Sequence, residues 1–531
     1  MKSRLAGTSA FTVTLLAIGL IWLGLRVVYW NGYYTEDAPG YVTDAIWMAL
    51  RNYHARDYVN GLNVGTYLPV ALPIALFGKS EIALSLWPLL CSLLGVLSVA
   101  GSTTILFGRT FGVLAALIYA TYPGDVFFST VVMPDSIEAG WLSFSIFLIV
   151  LSYHGPVARR YIGLVGAGMA MGLCHLIRAN DPILVPVGIF AVVMLAKVWR
   201  HDSVHAVARG CFVYLAGWVL VNVVEGAAYL WSSQDFFHRF RVVNRHYGTL
   251  DSIRQWGLNT DPTTIPFSIF PPVAWWSRSD WGRLNQDQAY HALLFCWAVA
   301  LISAGFAAVK FQKRPIADRA VAGCGLAALW FAWPLLYHQF GSQSITHFVP
   351  VHRLSRHLVM YAPGAIFATV AGCFLIKEAA TRWRSDNGRR AVVAGACVAL
   401  LVHLYFNWRG EQIAYGAYHR IKDTYARIRQ NLPPGMQTMN ADPGDLAFFD
   451  FWLNPLGSEH VKMVVFANYS RCEELRTGVV LTQSSPGWEG TGSLLIQETI
   501  NRLPCLLRPP ASWQLVYDGY PERVYVISTP P

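Results

Sequence analysis

The feature that most constrains this chain is a series of apolar runs, each about 20 residues long, the length that crosses a ~30 Å hydrocarbon layer as a helix. They fall near 10–30, 81–107, 112–132, 137–153, 161–178, 183–199, 209–231, 290–309, 320–338, 357–376 and 391–408. No globular surface could cover eleven such runs, so the fold class is an α-helical polytopic membrane protein. Charged residues make up 14% of the 531, against roughly 25% in an ordinary soluble domain. The 20 Trp, 25 Tyr and 28 Phe exclude a disordered or fibrous chain.

A formal charge of +10 raises the question of a nucleic-acid partner. With the amino terminus in the cytoplasm, the alternate segments on that side hold 17 Lys and Arg, from Lys2 and Arg4 to Arg389 and Arg390. The short outside turns at 133–136 and 178–182 hold only Arg178. This is the positive-inside distribution, so the charge sets topology and implies no nucleic acid. The first run follows basic residues, as a signal peptide would. Its apolar stretch is too long, however, and no small-x-small cleavage site precedes Tyr33-Tyr34-Thr35-Glu36-Asp37, so it is read as a retained helix.

Three parts lie outside the membrane in this topology. Residues 31–80 contain Asp37-Ala38-Pro39-Gly40-Tyr41, an amphipathic stretch from Val42 to Tyr53, and a Pro-broken apolar segment from Thr66 to Phe77, too short to span. Residues 232–289 are rich in Trp, Arg and Pro. Residues 409–531 change character: Glu411 to Gln430 has amphipathic helical spacing. Short apolar strands at Val461–Phe466, Val479–Leu481 and Val524–Ile527 then alternate with Pro, Gly and Asn. The domain reading is therefore a membrane part, 1–408, and a small extracytoplasmic α/β domain, 409–531. From Arg409 onward 11 Lys/Arg face 12 Asp/Glu, so the net positive charge belongs entirely to the membrane part. Seven of nine cysteines sit in apolar helices as small buried hydrophobes. Cys472 and Cys505 fall in the outer domain, in an oxidising compartment, and are expected to form a disulfide.

The chain has no Walker loop, Rossmann glycine pattern, HExxH, zinc CxxC pair or GxSxG elbow. The informative residues are acids at the outer boundary. Asp37 lies a few residues beyond the first helix. Asp135 lies in the turn Val132-Met133-Pro134-Asp135-Ser136, where it is read either as a helix cap or as a group that positions a substrate or pairs with an arginine.

The order of these features carries a family resemblance. Asp37-x-x-x-Tyr41 is followed by the Pro-broken segment ending Leu76-Phe77-Gly78-Lys79-Ser80. Then come Phe107-Gly108-Arg109, Leu114 to Pro123, Met133-Pro134-Asp135, and much later Ser355-Arg356-His357-Leu358-Val359-Met360-Tyr361-Ala362-Pro363. This succession resembles the GT-C membrane glycosyltransferases, in particular the branch with protein O-mannosyltransferases and the lipid A aminoarabinose transferase. Their first outside loop carries Asp-Glu-x-x-Tyr. Here Ala38 stands at the Glu, leaving Glu36 as the acidic neighbour. Gly40 stands where the aminoarabinose transferase has an Arg, and its re-entrant Lys has no match near Thr66-Tyr67-Leu68-Pro69. These departures favour a different donor or acceptor.

The resemblance implies an inverting transfer of a hexose or pentose from a polyprenyl-phosphate sugar to an extracytoplasmic acceptor, which is a lipid, a cell-envelope polysaccharide or a protein. Asp37 would be the general base and Asp135 a second catalytic carboxylate that positions the acceptor or pairs with an arginine. Tyr41, Glu36, Arg178, Arg245, His246, Arg356 and His357 would bind substrate, the cations holding charge on the departing phosphate. His338, His347, His352 and His357 are spaced nine, five and five apart, which makes no i,i+4 zinc pair, and no metal or other cofactor is expected. Membrane lipids, the lipid-linked donor and the acceptor are the partners, and a bacterial plasma membrane is the implied location. The competing class is a polyprenyl-lipid or sugar transporter without transferase activity. It calls for ionisable residues at mid-membrane, where Glu225 alone stands out.

Overall fold

The computed structural model describes residues 2–33, 37–51, 58–178, 184–247, 298, 316–340, 359–380, 386–441, 443–475, 478–483, 502–506, 508–518 and 522–527. Among these, the helices in chain order are α1 (Lys2–Val28), α2 (Ala38–Ala49), α3 (Val64–Phe77), α4 (Glu81–Phe107), α5 (Arg109–Ala120), α6 (Pro123–Phe128), α7 (Pro134–His154) and α8 (Val157–Ile177). They continue as α9 (Val185–Met194), α10 (Val204–Ser233), α11 (His238–Tyr247), α12 (Asp318–Phe340), α13 (Ala362–Ala380), α14 (Asp386–Asn431) and α15 (Pro443–Leu453). Local chemistry sets several starts. The Ser80 and Ser203 hydroxyls accept the Ala83 and Ala206 amides and cap α4 and α10. Pro123 and Pro134 open α6 and α7, where no amide is needed.

Six described helices are long and apolar enough to cross a membrane: the segments Phe11–Val28, Glu81–Phe107, Pro134–His154, Val157–Ile177, Val204–Ser233 and Val359–Ala380. They carry large apolar side chains on their outer faces, such as Leu20, Ile162 and Phe212, each at least 70% exposed. Water would not tolerate that surface, and lipid does. The chain is a multi-pass membrane protein. The run at 183–199 is a shorter apolar segment, and the run at 290–309 lies outside the described residues apart from Ala298.

The run at 112–132 is corrected. It forms no single span but two helices, α5 and α6, broken at Thr121-Tyr122. Pro123 drives Tyr122 to an extended backbone (ψ 118°), which ends the helix before it. The break exposes the Ala120 carbonyl, and Arg26 of α1 uses it: Nη1 donates to Ala120 O and Trp22 O, both at 3.0 Å. Nη2 reaches Ser92 Oγ of α4 at 3.1 Å and pairs with Asp125 in the first turn of α6, both side chains fully buried. Ser136 of α7 donates to the other Asp125 oxygen. One ion pair thus ties α1, α4, α5, α6 and α7.

Helix contacts depend on small residues. A Cβ at Gly140 of α7 would lie 2.1 Å from the Cys91 carbonyl of α4, and one at Gly168 of α8 would lie 1.9 Å from the Tyr214 carbonyl of α10. Only glycine permits these backbones to approach so closely. Because α7 and α8 run antiparallel, polar residues collect at two ends. At one, Arg160 pairs with Asp202 (2.6 Å), Arg200 Nε donates to Tyr153 O (2.7 Å) and His201 meets Asp318 (2.7 Å). The other end holds the residues considered below.

After α13, the 46-residue α14 runs unbroken through Arg409, so the boundary read at 408/409 falls inside one helix. It leads to strands β1 (Thr438–Ala441), β2 (Lys462–Val465), β3 (Gly478–Gln483), β4 (Gln514–Asp518) and β5 (Glu522–Ile527). These pair in the order β2-β1-β3-β5-β4. β1 is parallel to β2 and β3, and β5 is antiparallel to β3 and β4. α15 is the crossover that a parallel β1–β2 pair requires. Alternation divides the faces: Val479, Leu481 and Val524 join Tyr425, Phe448 and Phe449 in the main core, while Val480, Tyr525 and Trp513 pack with Cys505 on the other side. There a Cys472–Cys505 disulfide joins segments 33 residues apart.

Removing one partner of a buried ion pair costs about 3–5 kcal/mol, because the other charge is left without compensation. Arg26→Met and Asp125→Leu singly should each lower the midpoint of thermal unfolding in detergent by several degrees. The double variant should recover most of that loss, measured as a double-mutant cycle.

Candidate active site

Asp37 precedes the first residue of α2 and is half-buried. Its carbonyl accepts the Gly40 amide at 3.1 Å, which sets the first turn. Tyr41 lies one turn on, so it shares a face with Asp37, and it is buried. The Tyr41 hydroxyl accepts from Asn63 Nδ2 at 2.9 Å, and Asn63 stands at the start of α3. One turn later Thr66 Oγ1 donates to Ile177 O at 3.0 Å. The next residue is Arg178, whose Nη2 donates to Asp135 Oδ1 at 2.7 Å. Contacts therefore run without interruption from the helix that carries Asp37 to the one that carries Asp135.

Asp135 is fully buried in the first turn of α7. The cap position is Met133, with no side-chain capping bond, so of the two readings the arginine pair is the geometry present. Arg178 Nε also lies 3.5 Å from Glu138 Oε2, and Nη1 lies 3.8 Å from Met360 Sδ. Two buried carboxylates thus share one guanidinium, itself 9% exposed. Glu138 was missed from sequence. Its signal was the Asp135-x-x-Glu138 spacing, which places both acids on one face of the helix, but the same letters read equally as a capping pattern.

A second buried cluster supports the segment between α2 and α3. Arg239 of α11 forks onto Glu225 of α10, with Nε at 2.8 and 2.9 Å from the two carboxylate oxygens. Nη1 donates to His175 O at 3.0 Å and Nη2 to Leu62 O at 2.8 Å. Glu225, the ionisable residue that stood out inside an apolar run, is therefore held by an arginine from the next loop. Arg239 is engaged in joining α10, the end of α8 and the turn before α3. Arg241 pairs with Asp235. Arg245 is exposed on α11; His246 follows it, with its side chain outside the described set. Glu36, Arg356 and His357 lie outside the described residues as well. Among the described residues no three His, Cys, Asp or Glu side chains are grouped to hold a metal ion.

The segment before Asp37 is held from several sides. Tyr33 stacks on Phe448 and meets a tilted Phe451 of α15, with ring centroids 5.1 and 4.4 Å apart. Lys79 Nζ donates to the carbonyls of Asp450 (2.9 Å) and Asn454 (2.7 Å), the end of α15, where a helix presents unsatisfied acceptors. Burial holds the Lys79 ammonium below the usual lysine range even with Asp450 beside it.

Residues 65–221 match the family model described as dolichyl-phosphate-mannose-protein mannosyltransferase. The structure of ArnT from Cupriavidus metallidurans in the apo state superposes with a TM-score of 0.56 at 15% identity, over 99% of this chain and 100% of that one. The same protein bound to undecaprenyl phosphate gives 0.55 at 14% identity, over 99% of each chain. The oligosaccharyltransferase AglB from Archaeoglobus fulgidus, in complex with an inhibitory peptide and a dolichol-phosphate, gives 0.57 at 13% identity, over 98% of this chain and 74% of that one. The fold is that of the GT-C membrane glycosyltransferases. No curated protein sequence matches the chain. Within this GT-C fold, the family model covers the stretch from α3 into α10, which includes Asp135, Glu138 and Arg178.

Lysine in place of Arg239 keeps the charge but loses the fork that reaches Glu225, His175 and Leu62 together. Hydrogen bonds to charged groups contribute about 1.5–3 kcal/mol each. Arg239→Lys should therefore raise amide exchange in 58–67 and 238–247, read by hydrogen–deuterium exchange, with exchange in α4 and α7 unchanged.

Proposed function

We propose that this protein is a glycosyltransferase that moves a sugar from a polyprenyl-phosphate donor to an acceptor on the extracytoplasmic face of a membrane. The observation that carries it is Asp37, half-buried at the start of α2 and linked through Tyr41, Asn63, Thr66 and Arg178 to the buried Asp135, in a chain that aligns with ArnT over its whole length. Solved neighbours hold undecaprenyl phosphate or dolichol-phosphate, which supports a lipid-phosphate donor. We read 1–408 as the catalytic membrane part and 409–531 as an outer unit that shares α14 with it. The amino terminus is cytoplasmic, and the Cys472–Cys505 disulfide fits an outer, oxidising compartment.

The chemistry is a single displacement. The Asp37 carboxylate takes the proton of an acceptor hydroxyl as that oxygen forms its bond to the anomeric carbon. The bond from the anomeric carbon to the phosphate oxygen breaks, its electron pair leaves with the polyprenyl phosphate, and the configuration inverts. A phosphate leaving group needs cations rather than a proton donor. Arg178 is engaged with Asp135 and Glu138, so its role is to hold Asp135 in place, and Tyr41 supports α2 through Asn63. Contact with the phosphate falls to the cations Arg245, His246, Arg356 and His357, with Glu36 next to the base in the sequence. The acceptor is a lipid, polysaccharide or protein hydroxyl, and the sugar a hexose or pentose.

A general base contributes about 10²–10⁴-fold. Purified protein is offered radiolabelled undecaprenyl-phosphate hexoses and pentoses with a cell-envelope fraction as acceptor. Wild type should transfer label from one of them, and Asp37→Asn should lose that transfer by at least two orders of magnitude while binding undecaprenyl phosphate as tightly. Full turnover in the variant removes Asp37 as base, and lipid binding without transfer from any donor points to a carrier.

A further inference from the structure

Four residues before Asp37 the chain passes through a cradle built from distant elements. Lys422 of α14 reaches across 391 positions and donates to the Asn31 carbonyl at 2.9 Å. The same ammonium pairs with Glu81 Oε1, in the first turn of α4, at 2.6 Å. That carboxylate oxygen also accepts the Tyr33 amide at 3.3 Å. Between the two contacts sits Gly32 with φ +70°, and a Cβ there would lie 2.6 Å from the Glu81 carboxyl carbon. The left-handed backbone and the close carboxylate together admit glycine alone. His419, one turn before Lys422, meets the Trp30 carbonyl at 3.3 Å. From the other side the Asn31 amide donates to Thr130 Oγ1 and its side-chain amide to Phe127 O, both at 3.1 Å.

We propose that Lys422 and Glu81 are positioning residues for Asp37. Their ion pair clamps residues 31–33, and the clamp fixes where α2 begins. This rests on Asp37 as the base of the proposed transfer. Four residues of chain span at most about 14 Å, so a fixed Tyr33 bounds the position of Asp37, and the Tyr41–Asn63 bond fixes the helix beyond it. A base must be held within about 0.5 Å of its productive geometry, which an open loop does not provide. The clamp comes from α14, which continues into the outer sheet, and Tyr33 is stacked on α15 of the same unit. The outer unit is therefore part of the machinery that places the base. Both clamp side chains are largely but not wholly buried, at 22% and 19% exposure, as suits a pair at a joint between two parts.

The test uses the full chain in detergent with two variants, Lys422→Met and the milder Glu81→Gln. Hydrogen–deuterium exchange over 30–41 should rise at least tenfold in both, while the dissociation constant for undecaprenyl phosphate stays within twofold of wild type. With the donor that wild type turns over, kcat should fall about 10–100-fold with donor KM unchanged, and Lys422→Arg should recover most of the loss. Wild-type exchange and turnover in both variants, beside an inactive Asp37→Asn, overturn the clamp alone. Loss of undecaprenyl phosphate binding and of a cooperative melt in both variants shows a general structural role and overturns it too. Turnover retained by Asp37→Asn overturns the base assignment, and with it the catalytic consequence drawn here.

Discussion

The rest of the structure depends on one buried ion pair, Arg26 with Asp125. A charge removed from water costs several kcal/mol unless it is paired and hydrogen-bonded. Arg26 meets that demand with two backbone carbonyls, a serine and a carboxylate drawn from several helices. Asp125 can accept the pair only because the helix breaks before Pro123 and begins again as α6. The break set by Pro123 thus makes the pair possible, and it also determines where the following turn emerges. Ser136, which completes the shell of Asp125, is the neighbour of Asp135. The structural hub and the acidic end of α7 occupy consecutive residues of one helical turn.

From that hub two supports extend toward Asp37. Residues 127 and 130, on and just after α6, hold Asn31, while Lys422 and Glu81 hold it and Tyr33 from the opposite side. From the first turn of α2, the Tyr41 contact with Asn63, and Thr66 one turn on, link it to the close of α8. Arg239 then ties the loop after α10 onto that junction. These supports pair a charge with a carboxylate or end on a backbone carbonyl or a hydroxyl, the arrangement that lets polar groups sit in a dry interior without large cost. Buried pairs of this kind are weak evidence for stability but good evidence for a defined geometry, which a proton-transfer site requires.

The carboxy-terminal sheet and its helices belong to the same construction. One face of the mixed sheet shares a continuous core with α14 and α15 and with residues leading out of α1, Tyr33 among them. The other face carries the Cys472–Cys505 disulfide and a separate small core. Lys79, between α3 and α4, closes the end of α15. A unit attached in this way is packed directly against the segment that precedes Asp37.

Much was legible in the sequence where the signal was local. Apolar length and the distribution of Lys and Arg identified a multi-pass membrane chain, because lipid imposes one rule on every span. The order of short motifs gave the fold class, and short apolar stretches punctuated by Pro, Gly and Asn marked three of the strands. What the sequence could not disclose was pairing. Arg178 read as an outer cation and Glu225 as a lone charge in an apolar run, and nothing nearby in the chain says that their partners are Glu138 and Arg239. Glu81 and Lys422 lie 341 positions apart and drew no attention at all. Composition and periodicity are properties of neighbours along the chain, and they decide which segments become helices and which enter the membrane. Which charge satisfies which is decided only when those helices pack, since the cost of a buried charge depends on what stands within a few ångströms in space.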